Sequence, residues 1–273
     1  MAMKNQIRAK KTLSQHFLRD SHVLAKILEY SNLTTSDTVL EIGAGNGVLT
    51  EHLCRHASKV ITIEKDRALV ENFLLPLTKK YNNLEIIAGD VLKIEMPECT
   101  KIVANLPYAI STQITFKILE HRFSLAILMY QREFAERMVA KPDTENYSKL
   151  SVNVYVRALC EILQYVSRGA FWPVPNVDSA IVRIVPRIRP PFQVEDWTLF
   201  HKLVDVAFQH RRKKMGTIIR AYFKNEKCIE LLKSHGYYDK RPENLSPEDF
   251  GRIADWLVQG IIDNSLPALK PSW

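Results

Sequence analysis

Short apolar runs alternate with amphipathic stretches between about residues 38 and 186, a pattern typical of alternating strands and helices. The apolar runs predict six strands, at Thr38–Ile42, Val60–Ile63, Leu84–Ala88, Ile102–Ala104, Leu125–Tyr130 and Ala180–Val185. Helical spacing predicts helices at Ser21–Tyr30, Gly47–Arg55 and Ser111–Glu120. The fold class that follows is α/β.

Three prolines, Pro186, Pro190 and Pro191, interrupt this pattern, because proline cannot continue a helix or a central strand. Beyond them the spacing predicts short helices only, at Trp197–Gln209, in a basic stretch through Phe223, at Lys227–His235 and at Pro247–Gln259. The last helix is expected to begin at Ser246, since Glu248 and Asp249 then fall in its first turn. We therefore predict two domains, residues 1–187 and 188–273, the second all-helical.

Charge is distributed unevenly along the 273 residues, of which 46% are hydrophobic, with a formal net charge of +8. Residues 1–20 carry a net +4, and residues 205–241 carry ten Lys or Arg against four Asp or Glu. This distribution favours a polyanionic partner. The candidate phosphate contacts are Lys10, Lys11, Arg211, Arg212, Lys213 and Lys214. The alternative for such a run is a solvated helix face.

Other features of the composition limit the class of protein. No apolar run is long enough to span a bilayer, so no membrane contact is expected. The four cysteines lie far apart without a CxxC pair, which predicts reduced thiols, no metal site and a cytoplasmic location.

A glycine-rich turn at Gly43, Gly45 and Gly47 follows the first predicted strand and opens a helix. Glycine lets the backbone approach a ligand closely, although an ordinary strand-to-helix turn has the same look. The next strand ends at Glu64, where an acid can bind ribose hydroxyls, and the third ends before Asp90, which can accept from an adenine amine. The spacing GxGxG suits a cofactor without a pyrophosphate. Together the three features predict S-adenosylmethionine.

The fourth strand is followed by Asn105, Leu106, Pro107 and Tyr108. The exocyclic amine of adenine is a poor nucleophile, because its lone pair is conjugated into the ring. The side-chain carbonyl of Asn105 and the backbone carbonyl of Leu106 can accept its two hydrogens, with Pro107 stiffening the turn. Tyr108 offers a face for stacking the base. The plainer alternative is an Asn-Pro turn that closes a strand.

Many further stretches, in one order along the chain, match a known family. They are Ser14–Asp20, the glycine turn, Ile63–Asp66, Gly89–Asp90, Asn105–Thr112, Gln131–Met138, Leu150–Val152, Phe171–Pro175, Val177–Ala180 and Ala207–Lys213. On these residues the chain resembles, over nearly its whole length, the ribosomal RNA adenine dimethyltransferase family of the KsgA type. The stretches around Leu128–Phe134 and Met138–Lys141 resemble its archaeal branch.

This resemblance implies a Rossmann-like class I methyltransferase sheet with a small helical C-terminal domain. It implies dimethylation of two adjacent adenosines in the hairpin loop near the 3′ end of small-subunit (16S) rRNA, by a monomer acting on a pre-ribosomal 30S particle, with S-adenosylhomocysteine as product. It assigns His16 and Leu18 to cofactor contact, together with Gly43, Glu64, Asp90 and Asn105. It also implies that Phe171 holds the target adenine, together with residues 105–108.

Two residues depart from the family's pattern: Asn176 stands where a lysine is usual, and Ser148 stands where a glycine is usual. The first removes a phosphate contact near the target loop, and the second alters a turn. Two alternatives stay open, a methyltransferase acting on large-subunit RNA and a non-catalytic ribosome-assembly or transcription factor on the same fold.

Overall fold

The computed structural model describes residues 15–262, and the predicted contacts Lys10 and Lys11 lie outside this range. The chain divides into two compact units. The first comprises Met1–Ala135 and Ala158–Pro186, and the second Glu136–Arg157 and Arg187–Trp273. The second unit thus includes residues 136–157, which the sequence analysis had placed in the first domain.

A seven-stranded sheet forms the centre of the first unit, with the strand order β4-β3-β2-β5-β6-β9-β7. Its strands are β2 (Thr38–Ile42), β3 (Lys59–Glu64), β4 (Leu84–Ala88), β5 (Lys101–Asn105), β6 (Leu125–Gln131), β7 (Ala158–Val166) and β9 (Ser179–Pro186). The strands from β4 to β6 are parallel, while β9 and β7 are antiparallel to their neighbours. Parallel strands place their carboxyl ends along one edge, where such sheets bind ligands.

All six predicted strands are present, and the predicted α/β class is confirmed. The central strands are apolar throughout because helices cover parallel sheets on both faces; Val39, Leu40 and Ile102 are fully buried. The sequence analysis missed β7, an edge strand on which Leu159 and Tyr165 are exposed. Polar residues break its apolar run.

The helices of the first unit follow the strands along the chain. They are α1 (Ser21–Ser31), α2 (Val48–Cys54), α3 (Arg67–Leu69), a π-helical turn at Val70–Leu74, α4 (Leu75–Thr78), α5 (Ser111–Glu120) and the start of α6 (Arg132–Val139). Asp20 caps α1, since its side chain accepts hydrogen bonds from the amides of His22 and Val23. Asp66 caps α3 in the same way through the amide of Ala68.

A two-stranded ribbon lies outside the main sheet. Its strands β1 (Phe17–Leu18) and β8 (Phe171–Trp172) are antiparallel, with Phe17 opposite Trp172 and Leu18 opposite Phe171. The apolar residues Leu18 and Phe171 are buried in the core of the first unit. This ribbon fixes the segment that includes His16.

The second unit is helical, as the resemblance implied. Its helices are α7 (Lys149–Arg157), α8 (Trp197–Gln209), α9 (Met215–Tyr222), α10 (Glu226–Ser234) and α11 (Pro247–Ile262). Val152 and Val156 of α7 belong to the same buried cluster as Phe200 of α8 and Phe250 of α11, which explains why residues 136–157 join this unit. Ser246, directly before α11, and Asp249, in its first turn, exchange hydrogen bonds, so the predicted helix start is confirmed. Within residues 15–262, no helix is long and apolar enough to cross a bilayer.

Candidate active site

A cavity of about 210 Å³ opens at the carboxyl ends of the parallel strands in the first unit. It brings together ten of the residues that the sequence predicts for the site. These are His16, Leu18, Gly43, Gly45, Glu64, Asp90, Asn105, Leu106, Pro107 and Tyr108. The glycine turn and the Asn-Leu-Pro-Tyr segment therefore share one space, although about 60 residues separate them in sequence.

The glycine turn forms a cradle that side chains would fill. Gly43 has a φ of 76°, and a Cβ there would lie 3.3 Å from Cδ of Pro107. Gly45 has a φ of 58°, and its Cβ would lie 3.0 Å from the ring of Phe17. L-amino acids rarely adopt such φ values, so glycine is required on both conformational and steric grounds. Glycine thus lets Pro107 and Phe17, which also line the cavity, pack directly against the turn.

Glu64 ends β3 with its carboxylate held by the backbone on both oxygens. Its Oε2 accepts from the amide of Gly45 at 2.9 Å, and its Oε1 accepts from the amide of Asp66 at 2.8 Å. Each oxygen of a carboxylate has two acceptor sites, so one site on each remains for ligand hydroxyls. The carboxylate is thus orientated before any ligand arrives, and its geometry suits a ribose diol.

Asp90 follows β4 and forms an ion pair of 2.9 Å with Lys65, which comes directly after β3. Its Oδ1 accepts from the amide of Leu92 at 3.1 Å. Hydrogen bonding from Lys65, and then from Leu92, lowers the pKa of the Asp90 carboxyl below its usual value. The group is therefore an ionised acceptor at neutral pH, suited to an amine donor.

Asn105 ends β5, and its amide nitrogen donates to the backbone carbonyl of His16 at 3.1 Å. This bond fixes which way the amide points, because only the nitrogen can face a carbonyl. The carbonyl oxygen Oδ1 of Asn105 receives no hydrogen bond from the described residues. An acceptor is thus available on a residue that lines the cavity.

Tyr108 is held rigidly beside Asn105. Its hydroxyl lies 2.6 Å from Oγ of Ser179, and its ring stacks on that of His16 with centroids 5.7 Å apart. Burial raises the pKa of the Tyr108 hydroxyl above its usual value, so it stays neutral. His16 is anchored in turn, since its Nδ1 lies 2.7 Å from the carbonyl oxygen of Pro173.

Glu41 lies beneath the glycine turn and is 1% exposed. Burial raises its pKa to about 7, while a 2.6 Å hydrogen bond from the hydroxyl of Thr50 opposes the shift. The residue lines the cavity as well. A carboxyl group in this position carries its proton over much of the neutral range.

Phe171 is not among the residues that line the cavity. It is 2% exposed and packs in the core cluster that includes Leu18. The basic residues Arg211, Arg212, Lys213 and Lys214 belong to the second unit. Their predicted roles, like that of Phe171, stay predictions.

Sequence reasoning missed several residues at the site. Phe17 packs on the glycine turn, Lys65 pairs with Asp90, and Ser179 holds Tyr108. Each lies inside a stretch that carried the family resemblance, but nothing in the sequence showed which partner it meets. Within residues 15–262, no cluster of three or more His, Cys, Asp or Glu side chains is arranged to hold a metal ion.

The family model of the ribosomal RNA adenine dimethylases matches residues 6–259. A protein of Methanosarcina acetivorans named as a ribosomal RNA small subunit methyltransferase A is 46% identical over 251 residues, 90% of this chain and 93% of that protein. Its namesake in Thermococcus gammatolerans is 41% identical over 98% of this chain and 95% of its own length. Both organisms are archaea, which confirms the resemblance to the archaeal branch.

Two solved structures are similar to this chain in both fold and sequence. A dimethyladenosine transferase from Plasmodium falciparum is 32% identical, with a TM-score of 0.79 over 92% of this chain and 99% of its own. The 23S rRNA methyltransferase ErmE is 28% identical, with a TM-score of 0.69 over 89% of this chain and 100% of its own. These structures confirm the predicted class I methyltransferase sheet. The chain therefore belongs to the ribosomal RNA adenine dimethylase family of methyltransferases.

Proposed function

We propose that this protein uses S-adenosylmethionine to dimethylate the exocyclic amines of two adjacent adenosines in the hairpin loop near the 3′ end of small-subunit rRNA, within a pre-ribosomal particle. The observation that carries the proposal is the fixed amide of Asn105, whose oxygen accepts no hydrogen bond from residues 15–262, on a residue that lines the same cavity as Glu64 and Asp90. An acceptor for an amine thus adjoins acceptors for a nucleoside. The cytoplasmic location and the monomeric state stay predictions.

The residues present fit S-adenosylmethionine. The Glu64 carboxylate would hold the ribose hydroxyls, Asp90 the adenine amine, and the open backbone at Gly43 and Gly45 the remainder of the molecule. The segment that includes His16 and Leu18 lines the same cavity and would contact the bound cofactor. When bound, S-adenosylmethionine supplies an electrophilic methyl group on a sulfonium sulfur.

The protein's own contribution is to position the amine. In the first transfer to each amine, Asn105 Oδ1 accepts one hydrogen and the backbone carbonyl of Leu106 accepts the other; together they turn the nitrogen toward tetrahedral geometry and expose its lone pair. In the second transfer a single hydrogen remains for one of these acceptors. Pro107 limits movement of that backbone, and Tyr108 stacks on the flipped base. No base is needed, since the displaced proton can pass to water.

The basic run of the second unit has two parts. Arg211 donates to Glu243 at 2.8 Å and to the carbonyl of Thr144 at 3.1 Å, so it holds the unit together. Lys214 forms an exposed ion pair with Asp239. Two further residues of the run, Arg212 and Lys213, are exposed and form no ion pair within the described part of the chain. They are the cations we assign to RNA phosphates.

The small-subunit substrate is preferred to the large-subunit one on the strength of the relatives. Proteins named for the small subunit are 41–46% identical to this chain, whereas the 23S rRNA methyltransferase ErmE is 28% identical. Intact Glu64, Asp90 and Asn105 in one cavity support chemistry rather than binding alone.

The test is a methylation assay with labelled S-adenosylmethionine and two substrates, unmethylated small subunits and unmethylated large subunits. We expect label only in the small subunit, at two adjacent adenosines and with up to two methyl groups on each amine. Mass spectrometry of nuclease fragments locates the label. Label in the large subunit alone, or in neither subunit, would refute the proposal.

A further inference from the structure

The ribbon of β1 and β8 extends the wall of the cavity outward. Phe17 and Trp172 lie directly opposite each other in its register, so both project from the same face. Phe17 lines the cavity, whereas Trp172 is partly exposed and lies beyond the lining. Phe171 projects from the other face, into the core. Trp172 is therefore a partly exposed aromatic residue paired across the ribbon with a residue that lines the cavity.

Arg19 covers this tryptophan. Its guanidinium carbon lies 4.7 Å from the ring centroid of Trp172, and its backbone amide donates to the carbonyl of Ala170 at 2.8 Å. The side chain is exposed and meets no carboxylate among residues 15–262. Its charge is thus available to a phosphate.

The loop after Trp172 adds an apolar surface to this pair. Val174 is 56% exposed and Val177 is 44% exposed. Arg168 donates to the carbonyl of Asn176 at 3.4 Å, which holds the loop and brings a second exposed cation to it. The loop begins at Pro173, whose carbonyl oxygen meets His16 of the cavity wall. Aromatic, apolar and cationic groups thus adjoin the cavity together.

We propose that Arg19 and Trp172 bind an unpaired nucleotide that flanks the two adjacent target adenosines. A base that leaves its stack to enter the cavity draws its neighbours to the cavity's edge, and those neighbours are unpaired. Unpaired bases bind to aromatic faces, and arginine binds their phosphates. Arg19 moves from the ring to the phosphate, and Trp172 then stacks on the neighbouring base. This inference rests on the proposed function and adds a determinant of RNA affinity outside the cavity.

The test is a double-mutant cycle between protein and RNA. Trp172→Ala and Trp172→Phe are compared with the unaltered protein on an RNA hairpin that carries the target loop. Two further hairpins lack the base of the nucleotide directly 5′ or directly 3′ of the two adjacent target adenosines, so both targets remain. We expect Trp172→Ala to lower kcat/KM on the intact hairpin about tenfold, mainly through KM, and Trp172→Phe to restore most of it. The hairpin that lacks the stacked base should be methylated equally by all three proteins.

Two control variants make the same kinds of substitution at exposed positions elsewhere in the first unit. Tyr165→Ala removes an exposed aromatic ring that also lies under an arginine, Arg132, at 4.9 Å, but on the edge strand β7. Arg122→Glu reverses an exposed charge just ahead of β6, at the amino end of the strands. Arg19→Glu should raise KM for RNA severalfold, and Arg122→Glu should not.

The outcomes separate this inference from the proposed function. If the unaltered protein methylates no hairpin and no small subunit, the proposed function fails. If it is active but the losses from Trp172→Ala and from each abasic hairpin multiply independently, Trp172 does not stack on a flanking base and this inference is wrong. Binding of S-adenosylmethionine, measured by calorimetry, should be the same in all Trp172 variants; a loss there would also overturn the inference, because it would place Trp172 in the cofactor site.

Discussion

Asn105 provides the sharpest prediction, because its amide has two separable roles. Its nitrogen donates to the carbonyl of His16 at 3.1 Å, and its oxygen accepts no hydrogen bond from residues 15–262. Asn105→Ala removes both groups. Loss of a hydrogen-bonding group that acts in the transition state lowers kcat about 10²–10³-fold. Loss of the bond to His16 costs about 1 kcal/mol of folding stability.

Asn105→Asp separates these two effects. The aspartate keeps an acceptor oxygen but places the other oxygen about 3 Å from the carbonyl of His16, and two acceptors repel each other there. The unsatisfied carbonyl and the repulsion should cost about 1–3 kcal/mol of stability. We therefore expect the aspartate variant to be less stable than the alanine variant yet to retain more activity per folded molecule.

The assay combines single-turnover methyl transfer to the RNA hairpin, RNA binding at equilibrium and thermal unfolding. We expect RNA affinity of Asn105→Ala to stay within about twofold of the unaltered protein. An equal loss of binding and transfer would show that Asn105 holds the RNA rather than activating the amine. Full activity in the alanine variant would refute its catalytic role altogether.

Three other predictions follow. The folded-state pKa of Glu41 is about 7, above its usual 4.5. Protonated Glu41 therefore adds about 3 kcal/mol to the free energy of unfolding, a contribution that is complete below pH 4.5 and is lost as pH rises through 7. Glu41→Gln should therefore flatten the decline of melting temperature between pH 5 and 8, and an unchanged decline would contradict this. Replacing both Arg212 and Lys213 by Glu should reduce the magnitude of the slope of log affinity for RNA against log salt concentration by about two. An unchanged slope would show that neither side chain contacts an RNA phosphate. Gly45→Ala should weaken S-adenosylmethionine binding, measured by calorimetry, because its Cβ would lie 3.0 Å from Phe17; unaltered affinity would show that the turn can relax.

Much of the first unit was predictable because its strands are buried on both faces. Residues 39–42 are all buried, and a short, mostly apolar run that ends at a glycine turn is typical of a central parallel strand. The edge strand β7 was missed because only one of its sides needs to be apolar. The short helix pair around Val70–Leu74 was missed because a π turn breaks the 3.6-residue period.

The sequence predicted many of the residues that form the candidate site, but not which of them contact each other. Gly43 and Asp90 follow strands and Glu64 ends one, and the topology of a parallel sheet then brings them together. The contacts of Asn105 with His16 and of Tyr108 with Ser179 join residues 89 and 71 positions apart. No local pattern encodes such partners, since the first contact depends on how the segment beside β1 packs and the second on where β9 joins the sheet.

The sequence also did not show which cations of the basic run 211–214 are paired with acids and which are not. In sequence, Arg211 to Lys214 are four equivalent cations, but Arg211 is committed to Glu243, 32 positions further on. The assignment of residues 136–157 to the second unit has the same cause. Their apolar face finds its partners in helices that begin 40 residues later, at Trp197.

The central claim is that the cavity at the carboxyl ends of β2 to β5 holds the methyl donor. Calorimetric titration of the purified protein with S-adenosylmethionine tests it most directly, with Glu64→Gln as the matched variant. We predict saturable binding at one site, weakened at least tenfold in Glu64→Gln, because its amide nitrogen would face the amide of Gly45 or Asp66 instead of accepting from it. No binding by the unaltered protein, or equal binding by both, would contradict the assignment of this cavity.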